Sequence, residues 1–251
     1  MKRRLWSRNK STLLHTATFC VWVLFQLSVC RIGAAQGTVS PAAPCKNMDP
    51  ALGAPAINTS VPVALQRDLE VVRDASFPEL QKKVVKTRKF ESSVDYFRTR
   101  FGVSRFLLLR PVHYFVEMNP RIANSGPSPD SLCAILAHEL VHISRMSDGN
   151  RLHLFGLVRL VSSGYTARFE RSTDLEAIRR GYGPGLITFR EWVYKNIPAE
   201  ALKRKQRNYF SPDEIAAIQQ MTEAKPELFK YWNKHVPLNL EEIEQAGRVN
   251  R

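Results

Sequence analysis

The chain has 251 residues, a hydrophobic fraction of 44% and a formal net charge of +14. That length holds one ordinary domain, or one with a tail, and the hydrophobic fraction excludes disorder throughout. No internal repeat and no nucleic-acid module accompanies the positive charge, so nucleic acid is not an expected partner.

Six of the surplus positive charges lie in residues 1–35, which hold no acid, and eight remain beyond. Those eight are scattered among acidic residues and read first as a solvated basic surface. The sharper reading is attraction to an acidic substrate or peripheral contact with an anionic envelope surface.

Residues 2–10 carry five basic side chains, an apolar stretch runs from Leu13 to Val29, and small residues precede the Ala35-Gln36 bond. That order predicts a secretory signal over 1–35, cut after Ala35. An uncleaved membrane anchor is the alternative, but the apolar run is short and broken for a span of about 20 residues. The chain is therefore expected to be exported, to a periplasm or beyond the cell. Residues 36–62 hold five prolines and read as a linker or arm, with the folded domain over 63–251. Beyond the signal only Cys45 and Cys133 remain. In an oxidising compartment the two could pair, and a free buried thiol at Cys133 is the equal alternative.

The pattern over 63–100 is helical. One helix opens at Phe77-Pro78-Glu79-Leu80 with Val84 and Val85 inward, and another spans Ser93 to Arg100. Arg105 to Leu109 and Val112 to Val116 read as strands, the second at a sheet edge because Pro111 cannot donate. Ser128-Pro129-Asp130 starts a helix that runs to about Arg145. Helices follow over 151–162, after which Gly164 breaks the chain, and over 166–180, ended by Gly181. A Gly183-Pro184-Gly185 loop, a helix over 186–195 and a basic connector over 203–207 come next. Ser211-Pro212-Asp213-Glu214 opens a further helix, and the last two cover 226–235 and 240–245. The expected fold class is α+β, predominantly helical, with a small edge sheet before the 129–145 helix.

That helix carries His138-Glu139-Leu140-Val141-His142. Positions i and i+4 share a face, so both imidazoles can close on one ion. Glu139 lies about 100° round the axis, within reach of a ligand on that ion. Burying three ionisable groups in so apolar a helix costs several kcal/mol unless they are paired or bind a metal. Zinc in a hydrolase needs three protein ligands and an open position. Glu170 is the favoured third ligand. It is spaced i, i+4 from Asp174, which can accept the outer ring N–H of a ligating histidine. Ala167 and Ala177 nearby would let two helices approach closely. Asp148 and His153 are the lesser alternatives. A turn back to Asp148 calls for glycine where Arg145 stands, and His153 fits no spacing with a physical basis.

His138-Glu139-x-x-His142 followed by Glu170-x-x-x-Asp174 resembles the gluzincin clan of zinc metallopeptidases. Within that clan it is most similar to the branch of CAAX prenyl proteases and HtpX-like quality-control proteases. The resemblance covers roughly residues 105–180. It implies a zincin-like, mostly helical catalytic domain with a small sheet, one zinc ion per chain, and endopeptidase action on protein or peptide substrates; the C-terminal helical extension is read from the residues alone. It implies His138, His142 and Glu170 as ligands, Glu139 as catalytic base, and Asp174 behind a ligating histidine. His153, Tyr165 and Tyr182 are the oxyanion donors that the sequence offers. Two other readings use the same residues. One is a non-catalytic, zinc-stabilised envelope binding protein, which has no need of an acid at Glu139. The other is hydrolysis of peptidoglycan peptides, which a basic mature chain would suit.

Overall fold

The computed structural model describes Cys45 and residues 61–124, 126–148 and 163–249. The signal expected over 1–35, most of the 36–62 arm and the helix expected over 151–162 lie outside the described residues.

Helix α1 (Val61–Ser76) starts two residues inside the expected arm. It buries Leu65, Leu69 and Val72, an i, i+4, i+7 stripe. A single 3-10 turn, Pro78–Leu80, then seats Phe77 and Leu80 in the core. Three strands follow: β1 (Val84–Lys89), β2 (Phe97–Phe101) and β3 (His113–Met118), in the sheet order β1-β3-β2. β1 runs parallel to β3, with Val84 opposite His113, and β2 runs antiparallel to it, with Phe97 opposite Met118.

Four local expectations are corrected here. The helix expected from Phe77 is a turn and then β1, because Val84-Val85-Lys86-Thr87 is rich in β-branched residues and buries Val85 between exposed neighbours. The helix expected over Ser93 to Arg100 ends in β2. Phe97 and Thr99 turn to one face, and Arg98 and Arg100 turn to the other, where both reach Glu117 of β3. The strand expected at Arg105 to Leu109 is a short helix, α2 (Val103–Leu107), between β2 and β3. Its consecutive leucines have no period of two, and both sides of β3 are already paired. β3 is the central strand and not an edge, because Pro111 precedes its first paired residue and its missing N–H falls outside the ladder. The free side of β1 is satisfied by Gln66 of α1, which donates to the Val85 carbonyl and accepts from the Thr87 amide. β2 is the other edge.

Helix α3 (Pro129–Ser147) is the axis of the fold, buried without a break from Ser131 to Ile143. Ser128 caps it by accepting from the Ser131 amide, and Pro129 begins it. α1, β2, α4 (Ser163–Arg179) and α5 (Gly183–Asn196) pack around it. Gly164, expected as a breaker, lies inside α4, and Gly183-Pro184-Gly185 forms the first turn of α5 in place of a loop. Gly181 ends α4 at φ 90°, with Gly181 and Tyr182 amides returning to the Ile178 and Ala177 carbonyls. A Cβ on Gly185 would strike the Asp130 carbonyl and stand 2.7 Å from the Ala134 Cβ, so α5 meets α3 nearly backbone to backbone.

The expected basic connector is helix α6 (Ala199–Asn208), which buries Ala201 and turns Lys203, Arg204 and Arg207 outward. α7 (Pro212–Ala224) opens with a full capping box between Ser211 and Glu214. α8 (Leu228–Trp232) and α9 (Leu240–Val249) complete the domain. Cys45 and Cys133 are joined by a disulfide, with Cα atoms 5.6 Å apart. Among the described residues no helix is long and apolar enough to cross a membrane.

Candidate metal centre

α3 presents His138 and His142 on one face, and α4 crosses it with Glu170. His142 Nε2 lies 3.1 Å from His138 Nε2 and 3.1 Å from Glu170 Oε2, and His138 Nε2 lies 3.3 Å from the same oxygen. The three atoms form a nearly equilateral triangle. A tetrahedral ion such as zinc, bonded at about 2.0–2.1 Å, sets its ligand atoms roughly 3.3–3.4 Å apart. The side chains present therefore fit a divalent metal ion.

The crossing of α3 and α4 is bracketed by Arg145. Its guanidinium donates to the Ser172 hydroxyl at 2.5 Å and to the Ser172 carbonyl at 2.7 Å. Ala167 and Ala177 are buried on α4, as close helix packing requires. Phe169 stacks on the His142 ring, centroids 5.1 Å apart, and fixes its plane.

Asp174, one turn beyond Glu170, accepts from His138 Nδ1 at 2.8 Å. That bond fixes the tautomer and leaves Nε2 to face His142 and Glu170. Asp174 also accepts from Arg190 Nη2 of α5, at 2.9 and 3.1 Å to its two oxygens, and from the Phe210 amide at 3.1 Å. Burial raises the pKa of Asp174, but the Arg190 charge and the bonds from His138 and Phe210 hold it below the usual carboxylate range. Burial acts upward on Glu170 too, and the His142 charge with bonds from both imidazoles drives it well down. Burial pulls His138 down, yet its bond to Asp174 and the neighbouring carboxylates raise it to about 9.

Glu139 is buried beside the triangle. Thr99 Oγ1, on β2, donates to Glu139 Oε2 at 2.6 Å and to the Glu139 carbonyl at 3.2 Å. The edge strand thus grips the acid directly.

Asp148, the first alternative ligand, is exposed at the end of α3 and takes no part in the cluster. His153 lies outside the described residues. Of the tyrosines offered as oxyanion donors, Tyr182 is buried, its hydroxyl bonded to Ser76 at 2.7 Å, and it is not open to the site. Tyr165 is 39% exposed and stacks on Phe169, 6.4 Å between centroids.

Three residues that the sequence reading passed over join the site: Thr99, Arg190 and Tyr209. The Tyr209 ring lies 5.9 Å from that of His138 and beneath the Arg190 guanidinium at 4.4 Å. Burial and the Glu170 charge push its hydroxyl well above the ordinary phenol value, so it stays protonated. Tyr209 also lines a cleft of about 320 Å³ with Asp95, Thr166, Arg204, Lys205 and Arg207. Lys205 pairs with Asp95 at 2.7 Å across that cleft. The Tyr209-Phe210 pair precedes a helix cap and has no spacing that marks it as part of a metal site.

No protein-family model, characterised sequence or solved structure matches the chain.

Proposed function

We propose that the chain is a zinc-dependent endopeptidase of the gluzincin kind, exported to the cell envelope or beyond. The observation that carries this reading is the triangle of His138, His142 and Glu170 with a buried acid, Glu139, held beside it by Thr99. A structural ion has no use for that acid; a hydrolytic one does.

His138, His142 and Glu170 would hold the ion, whose Lewis acidity would acidify a bound water and polarise the scissile carbonyl. Glu139 takes the proton of the attacking water as a bond forms to the carbonyl carbon, and hands it to the amine as the C–N bond breaks. Thr99 fixes one oxygen of Glu139, so the carboxylate enters the reaction already oriented. Tyr209 donates a hydrogen bond to the developing oxyanion. The outer edge of β2, an edge strand among the described residues, takes an extended substrate by strand addition. Arg204 and Arg207 in the neighbouring cleft, where Lys205 is already paired with Asp95, favour acidic side chains near the bond that is cut.

Zinc stoichiometry and cleavage of a generic protein substrate test this together. The wild type should bind one zinc and cleave. Glu139→Gln should keep the zinc and lose roughly 10²–10⁴-fold in rate. Zinc without Glu139-dependent cleavage would leave a binding protein, and cleavage confined to wall peptides would narrow the substrate to peptidoglycan.

A further inference from the structure

Among the described residues nine large apolar side chains are exposed, and five of them belong to one end of the sheet. Val84 opens β1 beside His113, the first residue of β3. Val103 opens α2 just past the end of β2, and Leu107 closes it. Leu108 and Leu109 continue toward β3. Leu107 and Leu108 are 64% exposed, Leu109 77% and Val103 56%. Scattered exposed apolar residues are ordinary; a contiguous group of this kind marks an interaction surface.

The rim of this tip is basic. Residues 97–116 contain Arg98, Arg100, Arg105 and Arg110 and no acid; Glu117 of β3 pairs with Arg98 at 2.5 Å and reaches Arg100 at 3.5 Å. Arg105 donates from Nε to the Pro111 carbonyl at 3.0 Å, which ties the stem of the tip together. His113 beside it is held below its ordinary pKa by desolvation and by the Arg105 and Lys86 charges. An exposed leucine tip with arginines close by in the chain is complementary to a surface that is apolar inside and anionic outside. A second copy of the chain would bring the same arginines against these.

We propose that Leu107, Leu108 and Leu109 insert into the interface of an anionic lipid bilayer, with Arg105 and Arg110 on the phosphates. Long basic stems suit this boundary, and each arginine near such a surface strengthens binding about fivefold. β2 leads from this tip to Thr99 and Glu139, so insertion holds the candidate metal centre close to the bilayer. The inference goes beyond the hydrolytic reading and does not depend on it.

Hydrogen–deuterium exchange on the full chain tests it, because the readout is local whatever else tethers the protein. With vesicles of phosphatidylcholine and phosphatidylglycerol, amides over 103–110 should exchange at least about tenfold more slowly, and less so with phosphatidylcholine alone. A Leu107→Ser, Leu108→Ser, Leu109→Asn variant should lose this protection while keeping its melting temperature. Asn suits position 109, whose φ is 56°. Three results overturn the proposal: no slowing over 103–110, slowing that persists in the variant, or slowing without vesicles that grows with protein concentration. The last would assign the tip to self-association.

Discussion

At His138, burial and charge pull in opposite directions. Desolvation favours the neutral ring, but Asp174, Glu170 and Glu139 surround it and lift its pKa to about 9. In metal-free protein the folded value thus stands above the unfolded one near 6.5. The stabilisation this gives is fully present below about pH 6.5 and disappears as pH rises through about 9. A metal ion needs the neutral ring, so binding near pH 7.5 must expel about one proton. Calorimetry in buffers of different ionisation enthalpy should find that proton, and affinity should climb about tenfold per pH unit until it levels near 9. Proton release close to zero would show that His138 already binds as a neutral ring. Tyr209 makes a second argument at this scale. Its hydroxyl stays protonated because burial and the Glu170 charge resist ionisation, which is the state a donor to an oxyanion requires. Tyr209→Phe should keep the zinc and the melting temperature and lower kcat roughly 10–100-fold with little change in KM. An unchanged kcat would remove Tyr209 from the reaction.

Among the elements, the meeting of α3 and α5 positions the second layer of the site. Gly185 lets α5 come close enough for Arg190 to reach Asp174, and Asp174 in turn fixes His138. Gly185→Ala would drive a methyl group into the Asp130 carbonyl and Ala134, neither of which is a flexible chain end. The variant should lose about 1–3 kcal/mol in urea unfolding, with weaker zinc binding as Arg190 is pushed away. The sequence showed α3 clearly, because a Ser-Pro-Asp start and a long apolar run agree with one another. It also placed Glu170 and Asp174 on one face of the next helix. The sheet was harder to read. Val84 and Val85 suit a helix face as well as a strand, and only pairing with β3 decides between them. Once residues 93–100 were read as helix, Thr99 could not be seen to face Glu139. Arg190 and Tyr209 reach the site through tertiary approach alone, across a contact that depends on a glycine lying inside a helix rather than in a loop.

For the molecule as a whole, one buried helix is packed on by α1, β2, α4 and α5, and the disulfide fastens a distant part of the chain to it. Cys133 is fully buried on α3, five residues before His138, and Cys45 stands 88 positions earlier. Closing a loop of that length removes denatured-state entropy worth about 4–5 kcal/mol in the chain-entropy model, and measured bonds more often deliver about 2–4. The Cα separation of 5.6 Å is ordinary for such a bond. An oxidising compartment would preserve it, which accords with the export proposed from the N-terminal residues. Reduction, or the Cys45→Ser, Cys133→Ala pair, should therefore shift the urea midpoint and melting temperature of the whole domain downward together, by about 2–4 kcal/mol. The candidate metal ligands on α3 lie more than a helical turn from Cys133, so on the proposed reading zinc stoichiometry should stay at one per chain while stability falls. If reductant left the midpoint of the wild type unmoved, the two thiols would not be joined in solution, and the oxidising compartment would lose its structural support. If zinc were lost along with stability, α3 would be held in register by the bond, and the metal centre would depend on the redox state of its surroundings.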